Sequence, residues 1–518
     1  MKIFLYVLVL CLFAAVYAIR MIHHTHMFQL NSYKSGVQVR WMLKNPKELL
    51  KTTLILPLSV ALLFVSSDDR VTLALVAVSL LAALLLNIPG KAKKSLVYTK
   101  RVIRLLVTTG ILLAAALLVV ILVLTDVLWK GVAIFSVLTL APLILLLCNL
   151  INQPLERAIN RYYIRDAKKI LRAHGRLVTI GVTGSYGKTS VKYMLGTLLE
   201  AKYNTLITPE SYNTPLGITR VVRSSLRATH EVFVCEMGAK YVGDIEEICD
   251  IVHPRHGIIT SIGPQHLESF KSLDNVKKTK FELADALPPE GKLFLNGEDA
   301  GIRGYAHPHP GMTYGFSPSC DYYADRLQVT SAGTTFYVNH EGASVKFDVS
   351  LIGAHNVLNL VGAIAVCCEL GIELDRLPPY ARKVKAVQHR LQLSKKGNVT
   401  IIDDAYNSNP SGAKAALDVL ALFSDKKIIV TPGMVELGSV EYRENYTFGQ
   451  NMVGVCDYVV LVGKKQTAPI YQGLVDAGYP ADRIYVATDV QSGIRQAFAM
   501  WPDEPKTVLL ENDLPDNY

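Results

Sequence analysis

Acidic residues are nearly missing from the first third of this chain. Residues 1–152 hold 4 Asp+Glu against 15 Lys+Arg, whereas the remainder carries 39 basic and 40 acidic residues. The net charge of +10 therefore belongs to the N-terminal part. A nucleic-acid-binding domain needs its basic residues on a folded polar face, so that class is excluded. The eight cysteines are scattered and form no Cys-x-x-Cys. That excludes a zinc ribbon and a disulfide frame, and fits a reducing compartment. No Asp, Glu, Lys or Arg interrupts five apolar stretches at 3–19, 53–67, 71–88, 105–125 and 131–151. A pump or proton relay would need such a residue, so these stretches read as an anchor or a lipid-facing platform.

What is present is apolar length. The chain has 518 residues, half of them hydrophobic, with a mean hydropathy of +0.26. That predicts two to four domains, one of them in the membrane. The last three stretches approach the ~20 residues that span a bilayer. The second is short and contains Pro57, and the first ends in Val16-Tyr17-Ala18, which also fits a signal-peptide cleavage site. Loop charges set the orientation. Segment 20–51 carries Arg20, Lys34, Arg40, Lys44, Lys47 and Lys51 against Glu48; segment 91–104 carries Lys91, Lys93, Lys94, Lys100, Arg101 and Arg104. The alternate loops are short and near neutral. The positive-inside rule then predicts an external N-terminus, five spans and a cytoplasmic remainder. His23, His24 and His26 read as an interfacial polar cluster, since no acid or Cys stands beside them to complete a metal site. Arg157, Arg161, Arg165, Lys168, Lys169 and Arg172 recur at helical spacing, which predicts a basic helix over 153–176 lying on anionic headgroups.

Residues 177–190 read Leu-Val-Thr-Ile-Gly-Val-Thr-Gly-Ser-Tyr-Gly-Lys-Thr-Ser, and an amphipathic pattern follows. A β-branched run entering a Gly-rich turn before a helix is the setting of a phosphate loop. Gly184, Ser185 and Gly187 let backbone N–H groups close around phosphate oxygens. Lys188 supplies a point charge, Thr189 a hydroxyl for Mg²⁺, and Ser190 lies in the helix's first turn. Position 182, where a strict Walker spacing has Gly, is Val. Glu236 ends the apolar run Val232 to Cys235, at a sheet edge where a carboxylate can hold that Mg²⁺.

The spacing Thr-Gly-Ser-x-Gly-Lys-Thr-Ser resembles the Mur ligase family, ATP-dependent enzymes that join amino acids to peptidoglycan precursors. Further motifs follow in the family's order: Val234 to Ala239, Thr260 to Glu268, Lys280-Phe281-Glu282, Gly353 to Asn359, His389-Arg390-Leu391 and Asp403 to Pro410. The last of these, with Gly433 to Gly438, is similar to the branch that adds D-alanyl-D-alanine to the muramoyl tripeptide. The resemblance implies that Lys188, His266 and Lys280 are catalytic, with Lys280 carbamylated and sharing a second Mg²⁺ with His266. It implies metal ligation by Thr189, Glu236, His266 and Lys280. Asn356 and Asn359 would read adenine, Arg390 would reach the phosphates, and Asp404 the ribose. The Tyr212 to Gly217 loop resembles a substrate-side loop.

Two departures stand out. The branch's N-terminal UDP-sugar domain is replaced by the apolar third, and its C-terminal Lys-Gly-Ser by Glu511-Asn512-Asp513-Leu514-Pro515-Asp516. The expected architecture is an all-α transmembrane domain (1–152), the basic helix (153–176), a P-loop α/β domain (177–392) and a Rossmann-like domain (393–518). The expected function is a membrane-bound ligase with cytoplasmic catalytic domains. Using ATP and two Mg²⁺, it joins an amino acid, dipeptide or ammonia to a carboxyl of a lipid-linked or cell-wall precursor through an acyl phosphate. The dipeptide-adding reaction itself and a non-catalytic ATP-binding scaffold are the alternatives. Membrane lipid is an expected partner and nucleic acid is not; protein partners stay open.

Overall fold

The computed structural model describes residues 2–46, 68–88, 95–210, 212–307, 309–406, 409–435 and 437–512, without the Glu268 side chain. The expected span 53–67, and with it the count of five, lies outside these residues. So do Lys47, Glu48, Lys51, Lys91, Lys93, Lys94, Asn407, Ser408, Glu436 and Asp513 to Asp516. The described residues form two compact units, one up to Arg161 and the other from Tyr162 onward.

The first unit is helical: α1 (Lys2–Leu30), α2 (Ser35–Lys44), α3 (Asp69–Leu86), α4 (Lys100–Val123) and α5 (Val127–Ala173), whose last turns belong to the second unit. Of these, α1, α3, α4 and α5 are long and apolar enough to cross a bilayer. Their contact core includes Phe13, Val16, Leu80, Phe135 and Leu145. Outward faces stay apolar: Ile111, Leu118, Ile121 and Leu122 of α4 are all more than half exposed. A helix that is apolar all round suits a hydrocarbon solvent. Two boundaries differ from expectation. No Pro or Gly occurs before Gly36, so nothing stops α1 at residue 19; Arg20 and the three histidines are helical, not loop. Likewise α5 runs through Pro142 and Pro154, so the basic stretch is no separate helix. Its end is embedded in protein. Ala167 is fully buried among Ile218, Val221 and Ile248, with Ile164, Ile170 and Leu171 packed alongside. Lys168 pairs with Asp250 at 2.6 Å, and Arg223 with Asp166 at 2.6 Å. These bonds put the stretch from Tyr162 onward against the α/β unit rather than on headgroups.

The second unit holds two sheets. The first comprises β1 (Val178–Thr183), β2 (Thr205–Ile207), β3 (Val232–Glu236), β4 (His256–Ile259), β5 (Lys292–Asn296), β6 (Gly311–Gly315), β7 (Tyr322–Thr330), β8 (Gly333–His340) and β9 (Ala343–Val349), ordered β2-β3-β1-β4-β5-β6-β7-β8-β9. It is parallel up to β7 and antiparallel beyond. Helices α6 (Lys188–Leu199), α7 (Pro215–Ser225), α8 (Asp244–Val252), α9 (Leu273–Asp285) and α10 (Ala354–Glu369) cover it. One face buries Val191, Leu195, Val357 and Ile364, the other Ile218, Ile248 and Phe281. Because β1 lies between β3 and β4, the chain leaves β1 at a switch point, where such sheets bind ligands.

The second sheet comprises β10 (Gln392–Lys396), β11 (Val399–Asp404), β12 (Lys426–Thr431), β13 (Tyr458–Val462), β14 (Ile484–Ala487) and β15 (Lys506–Glu511), ordered β10-β11-β15-β12-β13-β14. All pairs but β10·β11 are parallel. The expected strands near 399, 427, 458 and 507 are present. The edge strands β10 and β14, and the β7–β9 meander, carried no clear sequence signal.

Candidate active site

The phosphate loop joins β1 to α6. Gly184 and Gly187 have φ of +148° and +82°, values that L side chains rarely adopt. Space is also short: a Cβ at Gly187 would come within 2.6 Å of Asn359 Oδ1. Lys188 opens α6, and its Nζ donates to the loop's own carbonyls, Gly184 O at 2.6 Å and Ser185 O at 2.8 Å. The stretch after β4 buttresses the loop. Ser185 N–H donates to Ser261 O at 2.8 Å and Tyr186 N–H to Ser261 Oγ at 2.8 Å. Ser185 Oγ donates to Gly263 O at 3.1 Å and accepts Gly263 N–H at 3.0 Å. Thr260 Oγ1 donates to Tyr186 O.

Glu236, at the end of β3, is the hub. Its Oε1 accepts from Thr189 Oγ1 at 3.2 Å and from Asn213 Nδ2 at 3.0 Å. Its Oε2 lies 3.0 Å from Lys192 Nζ, with the two side chains 2% and 0% exposed. Burial pushes the Glu236 carboxyl up, but Lys192 and Lys188 outweigh it and hold the group below the usual range. Lys188 is lowered to about 8, chiefly by burial, with Glu236 opposing and Arg390 adding to the fall. Lys192 is lowered for the same reasons. Lys280, on α9, is 2% exposed, and burial followed by the Lys188 charge holds it well below its ordinary value. Its Nζ stands 6.0 Å from the Phe270 ring. Glu282, two residues on, accepts from Gly243, Ile245 and Glu246 N–H at 2.7, 3.1 and 3.0 Å. It thereby caps α8 and fixes the face α9 presents.

Thus Lys188, Thr189 and Glu236 come together with Lys192, and the charges of Arg390 and Lys280 reach Lys188. His266 has φ +53° and begins the single turn Leu267–Phe270. The described residues contain no group of three or more His, Cys, Asp or Glu fit for a metal. The Thr189 hydroxyl and Glu236 carboxylate do converge as oxygen donors, the kind Mg²⁺ takes. Asn359 lies against Gly187 at the phosphate loop. Asn356 is buried and donates back to Ile352 O at 2.9 Å, a local bond that occupies one of its two amide N–H donors. Arg390 stacks 4.6 Å over the Tyr406 ring.

Asp404 ends β11 in register with Glu511 of β15. It accepts Leu391 N–H at 3.1 Å. Burial lifts its carboxyl to about 6, opposed by its hydrogen bond to Glu511. Beyond Glu511, Asn512 Nδ2 donates to Gly433 O at 2.6 Å. Lys192 escaped the sequence reading, although a lysine on the buried face of α6, among Val191, Leu195 and Leu198, was a visible irregularity.

Comparison with known proteins follows this geometry. Residues 182–367 match the Mur ligase middle domain and 389–511 the Mur ligase glutamate ligase domain. The UDP-N-acetylmuramoyl-tripeptide–D-alanyl-D-alanine ligase of Escherichia coli is 30% identical over 340 residues, 62% of this chain and 73% of the relative. MurF from Acinetobacter baumannii superposes with a TM-score of 0.62 at 26% identity, covering 68% of this chain and 77% of that one. A MurF ligase of Thermotoga maritima, solved with ADP, shares the fold at a TM-score of 0.61 and 23% identity, over 68% of this chain and 80% of that one. With both domains matched in order, this chain belongs to the Mur ligase family, ATP-dependent enzymes that form amide bonds.

Proposed function

We propose that this protein is a membrane-held ligase of peptidoglycan synthesis that uses ATP to couple an amine to a carboxylate of a muramoyl-peptide precursor. The observation that carries this is the buried Thr189–Glu236–Lys192 constellation beside Lys188, in a chain 30% identical to a dipeptide-adding ligase. Phosphorylation of the carboxylate gives an acyl phosphate, which the amine attacks with release of phosphate. Both steps develop charge on phosphoryl oxygens, so positioned cations carry much of the catalysis.

The chain's residues divide that work. Lys188 exchanges its bonds to Gly184 O and Ser185 O for phosphate oxygens. Thr189 and Glu236 would hold Mg²⁺, which would supply charge neutralisation at the phosphates. Lys192 keeps Glu236 ionised and aimed at Thr189. Arg390 brings a further charge from the second sheet's domain. Lys280, whose burial disfavours the charged ammonium, is the kind of amine that takes up CO₂; the carbamate would give His266 an oxygen co-ligand for a second Mg²⁺. Asn359 and Asn356 would face the nucleotide, and Asp404 the ribose.

The acceptor is read as lipid-linked and the catalytic domains as cytoplasmic. Four long apolar helices support the first; the basic segments 20–51 and 91–104, with the two expected spans 53–67 and 71–88 between them, support the second, and the family resemblance does not extend over the first third. The amine is D-alanyl-D-alanine or an amino acid or ammonia in its place. The test incubates membranes holding the full chain with Mg-ATP and either lipid-linked or UDP-linked muramoyl tripeptide. Each is offered D-alanyl-D-alanine, single amino acids and ammonia, and ADP and product mass are read. ADP formation and a product with the lipid-linked acceptor are expected. Product from the UDP-linked acceptor alone would restore the ordinary dipeptide-adding reaction, and no product from either would remove the ligase assignment. A C-terminal reporter should be protected from protease in intact cells and exposed in inverted vesicles; the reverse would overturn the orientation.

A further inference from the structure

Buried polar groups ordinarily find partners, and those without one point to a bound ion, ligand or water. One face of α1 breaks this rule over successive turns. Tyr17, Arg20, His24 and Thr25 are 6%, 2%, 2% and 0% exposed. Spacings of three and four place Tyr17, Arg20 and His24 on one stripe; Thr25 follows on the flank shared with the core residues Met21 and Phe28. Arg20 donates from Nη1 to Asn87 Oδ1, at the end of α3, at 3.3 Å. Its Nε, the Tyr17 hydroxyl, His24 Nδ1 and the Thr25 hydroxyl have no partner among the described residues. The buried acid of this unit, Glu156, is already held by Arg104 through bonds of 2.7 and 2.9 Å.

A guanidinium without a counter-ion inside an apolar bundle is costly. Its fork of donors matches a phosphate, and tyrosine and histidine on the same stripe can donate to the same oxygens. The end of α1 is tied to the start of α4: Gln29 Nε2 donates to Val97 O at 2.9 Å, Val97 N–H donates to Gln29 Oε1 at 3.0 Å, and Arg101 lies 4.0 Å over the Tyr33 ring. The stripe therefore runs from the middle of α1 towards the basic end of the bundle, the end that anionic headgroups favour.

The geometry points to a phosphate-binding site on this stripe, with Tyr17, Arg20 and His24 as donors and the phosphate headgroup of a lipid as occupant. This rests on the membrane reading above, not on the ligase chemistry. Inorganic phosphate shares the anion but lacks the chain that the surrounding apolar side chains would cover.

The test uses the full chain in neutral detergent and reads the melting temperature with hexadecyl phosphate, hexadecanol or inorganic phosphate. Hexadecyl phosphate should raise it in a saturable way and hexadecanol should not. Arg20→Gln should weaken the response at least tenfold in concentration, and Tyr17→Phe should also weaken it. Removing an unpartnered hydroxyl should leave the unliganded melting temperature unchanged or higher, so Tyr17→Phe separates loss of the site from loss of the fold. An equal shift from inorganic phosphate at equal concentration would overturn the lipid assignment. No shift in the wild type, or a full shift in both variants, would overturn the site. Retention in the membrane pellet after an alkaline wash tests the membrane reading separately, because the detergent measurement does not depend on it.

Discussion

Lys192 Nζ and Glu236 Oε2 lie 3.0 Å apart with both side chains sealed from solvent, so each charge depends on the other. Removing one member of such a pair leaves an uncompensated charge and costs about 3–5 kcal/mol. Lys192→Met should therefore lower stability by an amount of that order, read by chemical denaturation. The Glu236 carboxyl is depressed in the fold. Its contribution is present above the ordinary carboxylate range and is lost as pH falls through the depressed value. In Lys192→Met that loss should begin at a higher pH, and the Mg²⁺ needed for half-maximal ATP turnover should become more pH-dependent.

Lys188→Ala removes the point charge from the phosphate cradle while leaving β1 and α6 intact. Turnover should fall on the order of 10²–10³-fold, with the melting temperature of the protein nearly unchanged. Full ATP hydrolysis and ligation by this variant would end the assignment of the loop.

Lys280 can serve as an oxygen ligand only after it has taken up CO₂. Lys280→Ala should be nearly inactive, unmoved by bicarbonate, and partly restored by a short carboxylic acid in solution. The wild type should lose activity when CO₂ is stripped at mildly acidic pH and regain it with bicarbonate. A fully active Lys280→Ala would sink the carbamate reading.

Asp404 titrates near 6 because burial beside Glu511 outweighs its hydrogen bonds. Its folded value is raised, so the stability it contributes is present below the unfolded carboxyl value and is lost as pH rises through about 6. Asp404→Asn should be more stable than the wild type above pH 6 and lose that advantage in acid, measured as the difference in melting temperature across pH.

The fully buried Ala167 decides where the catalytic unit can be cut. A fragment starting at 162 should be soluble and bind ATP. One starting at 177 should aggregate, because the surface formed by Ile218, Val221 and Ile248 loses its cover. Ala167→Glu in the longer fragment should reproduce the defect, read by size-exclusion chromatography.

These particulars show what a sequence can disclose. The phosphate loop was legible because its chemistry is local: two glycines at positive φ, a lysine and a hydroxyl must be contiguous to close a backbone cradle. Lys192 was not, because a lysine in a helix reads as solvated until its partner, 44 positions away on β3, is known. The end of α1 was misplaced because Arg20 reads as a loop charge, whereas nothing in its neighbourhood stops a helix. The unbroken α5 was hidden by the change from apolar to basic residues near 152, which reads as a boundary, yet the helix continues through it and through Pro154. The β7–β9 meander lies at the sheet's end, where half-exposed strands carry mixed polarity.

The bonds from Ser185 and Tyr186 to Ser261 and Gly263 have a thermodynamic corollary. A glycine-rich loop left to itself would surrender conformational freedom each time a nucleotide arrived. Here that entropy is given up once, during folding. Nucleotide encounter then needs only Lys188 to turn from carbonyl to phosphate, so binding should carry a small entropic penalty. The same clasp makes residues 260–263 part of the nucleotide's support. A disturbance anywhere between β4 and His266 should therefore register first as weakened ATP affinity, well before the protein unfolds.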